Sequence, residues 1–204
     1  MKGRKLHLRF HPDMIQGRFS LQKLNLLLVF QVNCPGCLVS ALPLLNRLQQ
    51  DKRFEHMSFL ALSTAFEDAS LNTRANTEAL VKRGELVGAS RAFFESNGHP
   101  SLPYTIDVPV AMDVALPDPS KWREIITSHH SGNSMTSPEL NAFQNRLLHY
   151  FQQLPVVHHT FAVNGMQGTP TFVLFDKTYG IHASWFGHKS SMEVVDMLLH
   201  VSTF

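Results

Sequence analysis

The 204-residue sequence predicts an α/β fold in a single domain, and three features predict it. A nearly continuous apolar run at 24–32 leads into a helical pattern. A second apolar run at 56–63 closes a β-α-β unit, and residues 171–201 read as two strands followed by an amphipathic helix. The composition is 44% hydrophobic and 17% charged, enough apolar material for a core and too little charge to hold the chain open.

Taken in order, Leu24 to Val32 has the pattern of a strand covered on both faces, as in a largely parallel sheet. Pro35 suits the first position of a helix, and Cys37, Ala41, Leu44, Leu45 and Leu48 recur on one helical face. Pro43 is expected to kink this helix without ending it. His56 to Ser63 is the next strand. Asn76 to Ser96 reads as one helix with Leu80, Leu86, Val87 and Phe93 turned inward, ended by Asn97-Gly98 and Pro100. Residues 101–136 are rich in Pro, Ser, Asp and Gly and hold one short strand candidate around Val110 to Val114. Ser137 as N-cap and Pro138 as first helical residue open a helix to about Leu154. Thr171 to Phe175 is a β-branched and aromatic strand, Asp176 to Gly180 a turn, and Ile181 to Phe186 its hairpin partner. Ser191 to Val201 closes the chain as an amphipathic helix, and no internal repeat occurs.

The formal charge is +2, with Lys and Arg scattered, so the concentrated basic face that nucleic acid requires is missing. No run approaches the ~20 apolar residues of a membrane-spanning helix. Met1 to Arg9 is basic, but His11, Asp13, Arg18 and Lys23 follow it in place of the apolar core of a secretion signal. The expected location is therefore the cytoplasm, with neither membrane nor nucleic acid as partner. Twelve histidines are the compositional oddity, with adjacent pairs at His129-His130 and His158-His159.

Two cysteines cannot form a stapling framework, and their C-x-x-C spacing points to redox or metal chemistry. Cys34 stands where a buried strand meets a helix start, and free N–H groups and the helix dipole there favour a thiolate. Cys37, one turn later, is spaced to attack a mixed disulfide at Cys34. Zinc normally takes four ligands, and no second C-x-x-C accompanies the pair. Two inert structural cysteines are the remaining alternative.

The segments Leu26-Leu-Leu-Val-Phe-Gln-Val-Asn-Cys34-Pro-Gly-Cys37 and Gly168-Thr-Pro170-Thr-Phe-Val-Leu-Phe-Asp176, followed by Trp185-Phe-Gly187, resemble the thioredoxin superfamily. The nearest branch is that of the TlpA-like thiol-disulfide oxidoreductases. This resemblance implies a three-layer α/β/α fold with a central mixed sheet, and makes residues 68–159 a mainly helical insertion in one thioredoxin-like domain. It implies a thiol-disulfide oxidoreductase with Cys34 as nucleophile and Cys37 as resolving thiol. Pro35, Gly36, Thr169 and Pro170 would contact substrate, the Thr169–Pro170 bond being cis. The implied partners are a disulfide-containing protein or small thiol substrate and an upstream thiol or flavoprotein reductant, with no bound cofactor or metal.

The chain departs from the family at two positions. The buried acid expected six residues before the first cysteine is Leu28, which leaves Glu67, or its neighbour Asp68, as the candidate proton acceptor. The tryptophan usual before that cysteine is Asn33. A thiol peroxidase of the same fold is an alternative, although the Thr or Ser that would hold the peroxide is Gln31. A copper-binding protein of that fold is another, with His129, His130, His158, His159 and His188 as ligand candidates.

Overall fold

Six strands form one sheet: β1 (Pro12–Gln16), β2 (Leu24–Phe30), β3 (Met57–Ser63), β4 (Val110–Asp113), β5 (Thr171–Asp176) and β6 (Ile181–Phe186). Their order is β1-β4-β3-β2-β5-β6. The β4, β3 and β2 pairings are parallel, and those of β1, β5 and β6 with their neighbours are antiparallel, so the sheet is mixed. The computed structural model describes residues 6–116, Trp122 and 136–202. The helices are α1 (Leu42–Gln50), α2 (Arg74–Arg83), α3 (Gly88–Ser96), α4 (Ser137–Gln153), α5 (His159–Val163) and α6 (Ser191–Ser202).

Every residue of β2 is buried, because this strand is central and both its faces are covered. Its alternation sorts the core. Leu24, Leu26, Leu28 and Phe30 face Leu42 and Leu45 of α1 and Val194 and Leu198 of α6. Leu27 and Val29 face the other way, with Leu60, Leu62, Val173 and Phe175, beneath Leu8 and Phe161. Each fully buried leucine contributes about 1.5–3 kcal/mol, and a one-residue slip would send every one of them to the opposite face. Asn25, the polar interruption in this run, is satisfied: its amide donates to the carbonyls of Gln22 and Phe175.

The structure redraws several boundaries. The single helix expected over 76–96 is two, α2 and α3, because Gly84 adopts φ +67° and closes α2 with its N–H on the carbonyls of Ala79 and Leu80. In α3 Phe94 is buried, whereas Phe93 is 42% exposed. The N-cap of α4 is Thr136, one residue before the expected Ser137, and the Glu139 carboxylate accepts from both its N–H and its hydroxyl. Strand β1 and the short α5 have no counterpart in the sequence reading. Residues 68–159 hold α2, α3 and α4, and they also insert β4 into the sheet between β1 and β3. None of the described helices is long and apolar enough to cross a membrane.

Candidate active site

Beyond Phe30 the chain leaves β2 through Gln31, Val32 and Asn33 and turns into the dithiol. The N–H of Cys34 donates to the Gln31 carbonyl at 3.2 Å, and the N–H of Cys37 to the Cys34 carbonyl at 3.1 Å, closing the turn. Cys34 is half-buried and Cys37 fully buried, and both are free thiols. The helical stretch then begins irregularly. Residues Cys37–Ala41 form a π turn in which the Leu42 N–H reaches the Cys37 carbonyl, and α1 follows with Pro43 in its first turn. At Pro43 the structure thus shows a change of hydrogen-bond register, from π to α.

Across from Cys34 lies the loop that enters β5. The Cys34 thiol donates to the Thr169 carbonyl at 3.7 Å, and the Thr169–Pro170 peptide is cis. The Pro170 carbonyl accepts from the Gly187 N–H at 2.8 Å, which ties this loop to the end of β6. Gly168 has no room for a side chain, since a Cβ there would lie 2.6 Å from the Phe186 ring.

The two sulfurs differ sharply in acidity. Hydrogen bonding from the Cys37 thiol pulls Cys34 down to about 6 against the opposing effect of burial, and the Cys37 and Gly36 N–H groups and Thr169 assist. Burial, followed by the hydrogen bond and charge of Cys34, pushes Cys37 well above the ordinary thiol range. The result is one accessible thiolate beside one protonated thiol.

Three residues whose contacts sequence reasoning did not foresee hold this arrangement. Gln31, buried, accepts from the Thr169 hydroxyl at 3.2 Å and donates to the Glu67 carbonyl at 3.1 Å, so its amide spans the two loops that flank the cysteines. Asn33 donates its amide to Asp68 (2.7 Å) and accepts from the Ala89 N–H (2.7 Å), while its own N–H reaches the Asn72 side chain at 3.0 Å. Tyr104 donates its hydroxyl to the Leu38 carbonyl, next to Cys37. The partners of these residues lie 35–138 positions away along the chain, and no local pattern announces such contacts.

Glu67 does not take the expected position. It is exposed on the loop after β3, and it enters the described hydrogen bonds of the site through its main-chain carbonyl, which accepts from Gln31 and Asn72. A carboxylate turned to solvent is poorly placed to take a proton from a fully buried thiol.

The histidine pairs stand apart from the dithiol or outside the described residues. His129-His130 fall among residues not described, whereas His158 and His159 stand at the start of α5. Burial depresses the His158 imidazole to about 4, and the His159 ring meets that of His11 edge-on at 5.7 Å. The N–H groups of Thr160 and Phe161, at the same helix start, are capped by the buried Asp113 carboxylate at 2.8 and 2.9 Å. Burial raises Asp113 to about 6. Among the described residues no group of three or more His, Cys, Asp or Glu is gathered as a metal site. A 480 Å³ apolar cavity lined by Phe66, Phe151, Phe161 and Met166 reaches Gln167, just before the Thr169–Pro170 loop, but neither cysteine lines it.

Comparison with protein-family models gives no match, and comparison with curated proteins gives none either. Solved structures do match. A thioredoxin-like superfamily protein is 19% identical, with a TM-score of 0.53 over 98% of this chain and 95% of that one. A thiol-disulfide isomerase from Corynebacterium glutamicum is 17% identical, with a TM-score of 0.53 over 98% and 96%. At these identities the likeness is one of fold. The chain therefore has a thioredoxin-like fold, in which the Cys34/Cys37 pair follows the central strand and the Thr169–Pro170 loop lies against it.

Proposed function

We propose that this protein is a thiol-disulfide oxidoreductase that reduces disulfides through Cys34 and Cys37. The observation that carries the reading is the split of the dithiol: a half-exposed thiol at about 6 against a fully buried neighbour pushed far up. The Cys34 thiolate attacks one sulfur of the substrate disulfide, forming a mixed disulfide and expelling the other sulfur as a thiolate. Cys37 then loses its proton, attacks the Cys34 sulfur and releases the second substrate thiolate. Two electrons pass to the substrate and the Cys34–Cys37 disulfide remains, to be reduced again by an external thiol or a flavoprotein reductase.

With Leu28 in place of a buried acid, the thiolate expelled in the first step can serve as the base that takes the Cys37 proton. Thr169 supplies main-chain polar groups beside Cys34 along which a substrate strand can lie, with the Pro170 ring beside them, while Pro35 and Gly36 form the exposed side of the turn. The substrate class is a disulfide-bearing polypeptide or a small disulfide. Reduction is the direction expected in a cytoplasm that keeps thiols reduced.

The test is the redox equilibrium of the pair against a dithiothreitol or glutathione series, scored by alkylation and mass. A single two-electron transition, lost in Cys34→Ser, supports the reading. A pair that stays reduced throughout the series overturns it.

A further inference from the structure

Pro43 creates a vacancy in the helix that carries Cys37. A proline has no N–H to give and its ring crowds the carbonyl one turn earlier, so the hydrogen-bond ladder must change near it. Here it changes by the π turn: the Leu42 N–H goes to the Cys37 carbonyl and not, as in a regular α-helix, to that of Leu38. The next N–H in the π register would come from residue 43, which is proline. The Leu38 carbonyl is thereby left without a helical donor, on a residue with no solvent exposure. Tyr104 fills that vacancy with its hydroxyl.

The tyrosine is itself held in place. From α1, Asn46 donates to the Thr105 carbonyl at 2.7 Å and accepts from the Asp107 N–H at 3.1 Å. Gln49 donates to the Asp107 carbonyl at 3.2 Å and Gln50 to its carboxylate at 2.9 Å. On the other side, the Leu102 N–H reaches the Gly84 carbonyl at 2.8 Å. The segment bearing Tyr104 is thus clamped to the helix whose start it completes, and the ring packs against the same core cluster as Cys37.

We infer that Tyr104 is a positioning residue for Cys37: by occupying the Leu38 carbonyl it keeps the Leu42 N–H on Cys37 and so holds the π turn that sets the resolving thiol against Cys34. The inference rests on the exchange reading above and assigns its second step a structural determinant from the middle of the chain. Without the hydroxyl, the Leu42 N–H is free to return to the Leu38 carbonyl. The turn then tightens to α and Cys37 rotates with it.

The experiment uses the reduced full-length chain and an aryl disulfide whose released thiolate is coloured. The first equivalent of colour reports attack by Cys34, and the second reports attack by Cys37 on the mixed disulfide. At pH 9, where Cys34 is largely ionised with or without the Cys37 hydrogen bond, the first release in Tyr104→Phe should stay within about twofold of wild type and the second should slow at least about tenfold. In a Pro43→Ala background, where the helix can close its own ladder, adding Tyr104→Phe should change neither release. Through-hydrogen-bond NMR coupling from the Leu42 amide provides a readout independent of redox activity, with the Cys37 carbonyl as partner in wild type and the Leu38 carbonyl in Tyr104→Phe. An unchanged second release, an equal slowing in both backgrounds, or a Leu42 amide still on Cys37 in the folded variant would each overturn the inference. If wild type releases a single equivalent, the exchange reading itself falls, and this is seen before any Tyr104 variant is compared.

Discussion

The two ends of the Cys34–Cys37 turn are fastened differently. On the Cys34 side the fastening is polar and open to water: Asn33 joins the exposed Asp68 and the N–H of Ala89 on α3. On the Cys37 side it is closed, with a buried thiol in the leucine core and a tyrosine on the adjoining carbonyl. Both fastenings come from residues 68–104, far along the chain from the motif. The difference teaches where the chemistry can be adjusted. A thiol at a wet, polar clasp can ionise and meet a partner, whereas one sealed in the core remains protonated until a mixed disulfide is offered to it.

The largest expected effect removes one side of the comparison entirely. Cys34→Ser should abolish disulfide reduction. Cys37→Ser should leave the first attack intact and accumulate the mixed disulfide, visible as a mass adduct on Cys34. An adduct on Cys37 in the Cys34→Ser protein, formed at a comparable rate without denaturant, would break the assignment of open and closed sides.

Next in size is Gly88→Ala, which strikes the clasp on the Cys34 side. Gly88 has φ +46°, and a Cβ there would lie 2.2 Å from the Asn33 Oδ1 and 2.7 Å from the Leu71 Cδ1. Left-handed strain of about 1–2 kcal/mol and displacement of the Asn33 bonds together should cost about 3 kcal/mol, measured by denaturant unfolding of the reduced protein. A loss below about 1 kcal/mol would mean that the clasp yields freely.

The acidity split gives a smaller, rate-based test. At pH 6 about half of Cys34 is thiolate, against about 0.3% of a thiol at its usual pKa of about 8.5. A more acidic thiolate is a weaker nucleophile, so the net advantage in alkylation at pH 6 should be about tenfold over a free peptide thiol, with Cys37 silent. The linkage follows from the same shifts. The Cys34 thiol is lowered on folding, so the reduced protein gains stability as pH rises from about 6 to about 8.5, and loses that gain as pH falls back. Cys37 is raised, so its contribution is present below about 8.5 and is lost as pH rises beyond it. Unfolding across this range should show stability climbing and then declining, with the climb above about pH 7, beyond the range of the buried His158, absent in Cys34→Ser.

What was legible in the sequence follows the same division between local and distant causes. Strand β2, the dithiol turn, β3, the β5–β6 hairpin and α6 announce themselves because their apolar periodicity and turn residues lie within a few positions of one another. Strand β1 did not, since Pro12-Asp-Met-Ile-Gln16 is half polar and becomes a strand by pairing with β4, ~100 residues on, across a bulge. Helix α5 is only five residues long, and its N–H groups are capped by Asp113 from β4. The single helix read over 76–96 runs through Gly84, which is a terminator, and it sets Phe93 inward where Phe94 is the buried ring. In the site, the cysteines and Thr169-Pro170 were readable from motif and resemblance. The contacts made by Gln31, Asn33 and Tyr104 were not, because each acts through a partner at least 35 residues away.

The finest test asks whether Asn33 is what forbids a side chain at position 88. Asn33→Ala removes two bonds that lie near solvent, where water can replace them, and should cost only about 1 kcal/mol. It also deletes the two closest atoms that a Cβ on residue 88 would meet besides Leu71, whose Cδ1 sits on a side chain able to rotate away. In the Asn33→Ala background, Gly88→Ala should therefore lose about 1 kcal/mol of its penalty, leaving mainly the cost of the positive φ. Strict additivity of the two changes, within about 0.5 kcal/mol, would mean that the left-handed backbone alone demands glycine. The Asn33 bond to Ala89 would then be a consequence of the close approach of α3 and not its cause. Non-additivity of the expected sign would make Asn33 the residue that fixes how near α3 comes to the nucleophile.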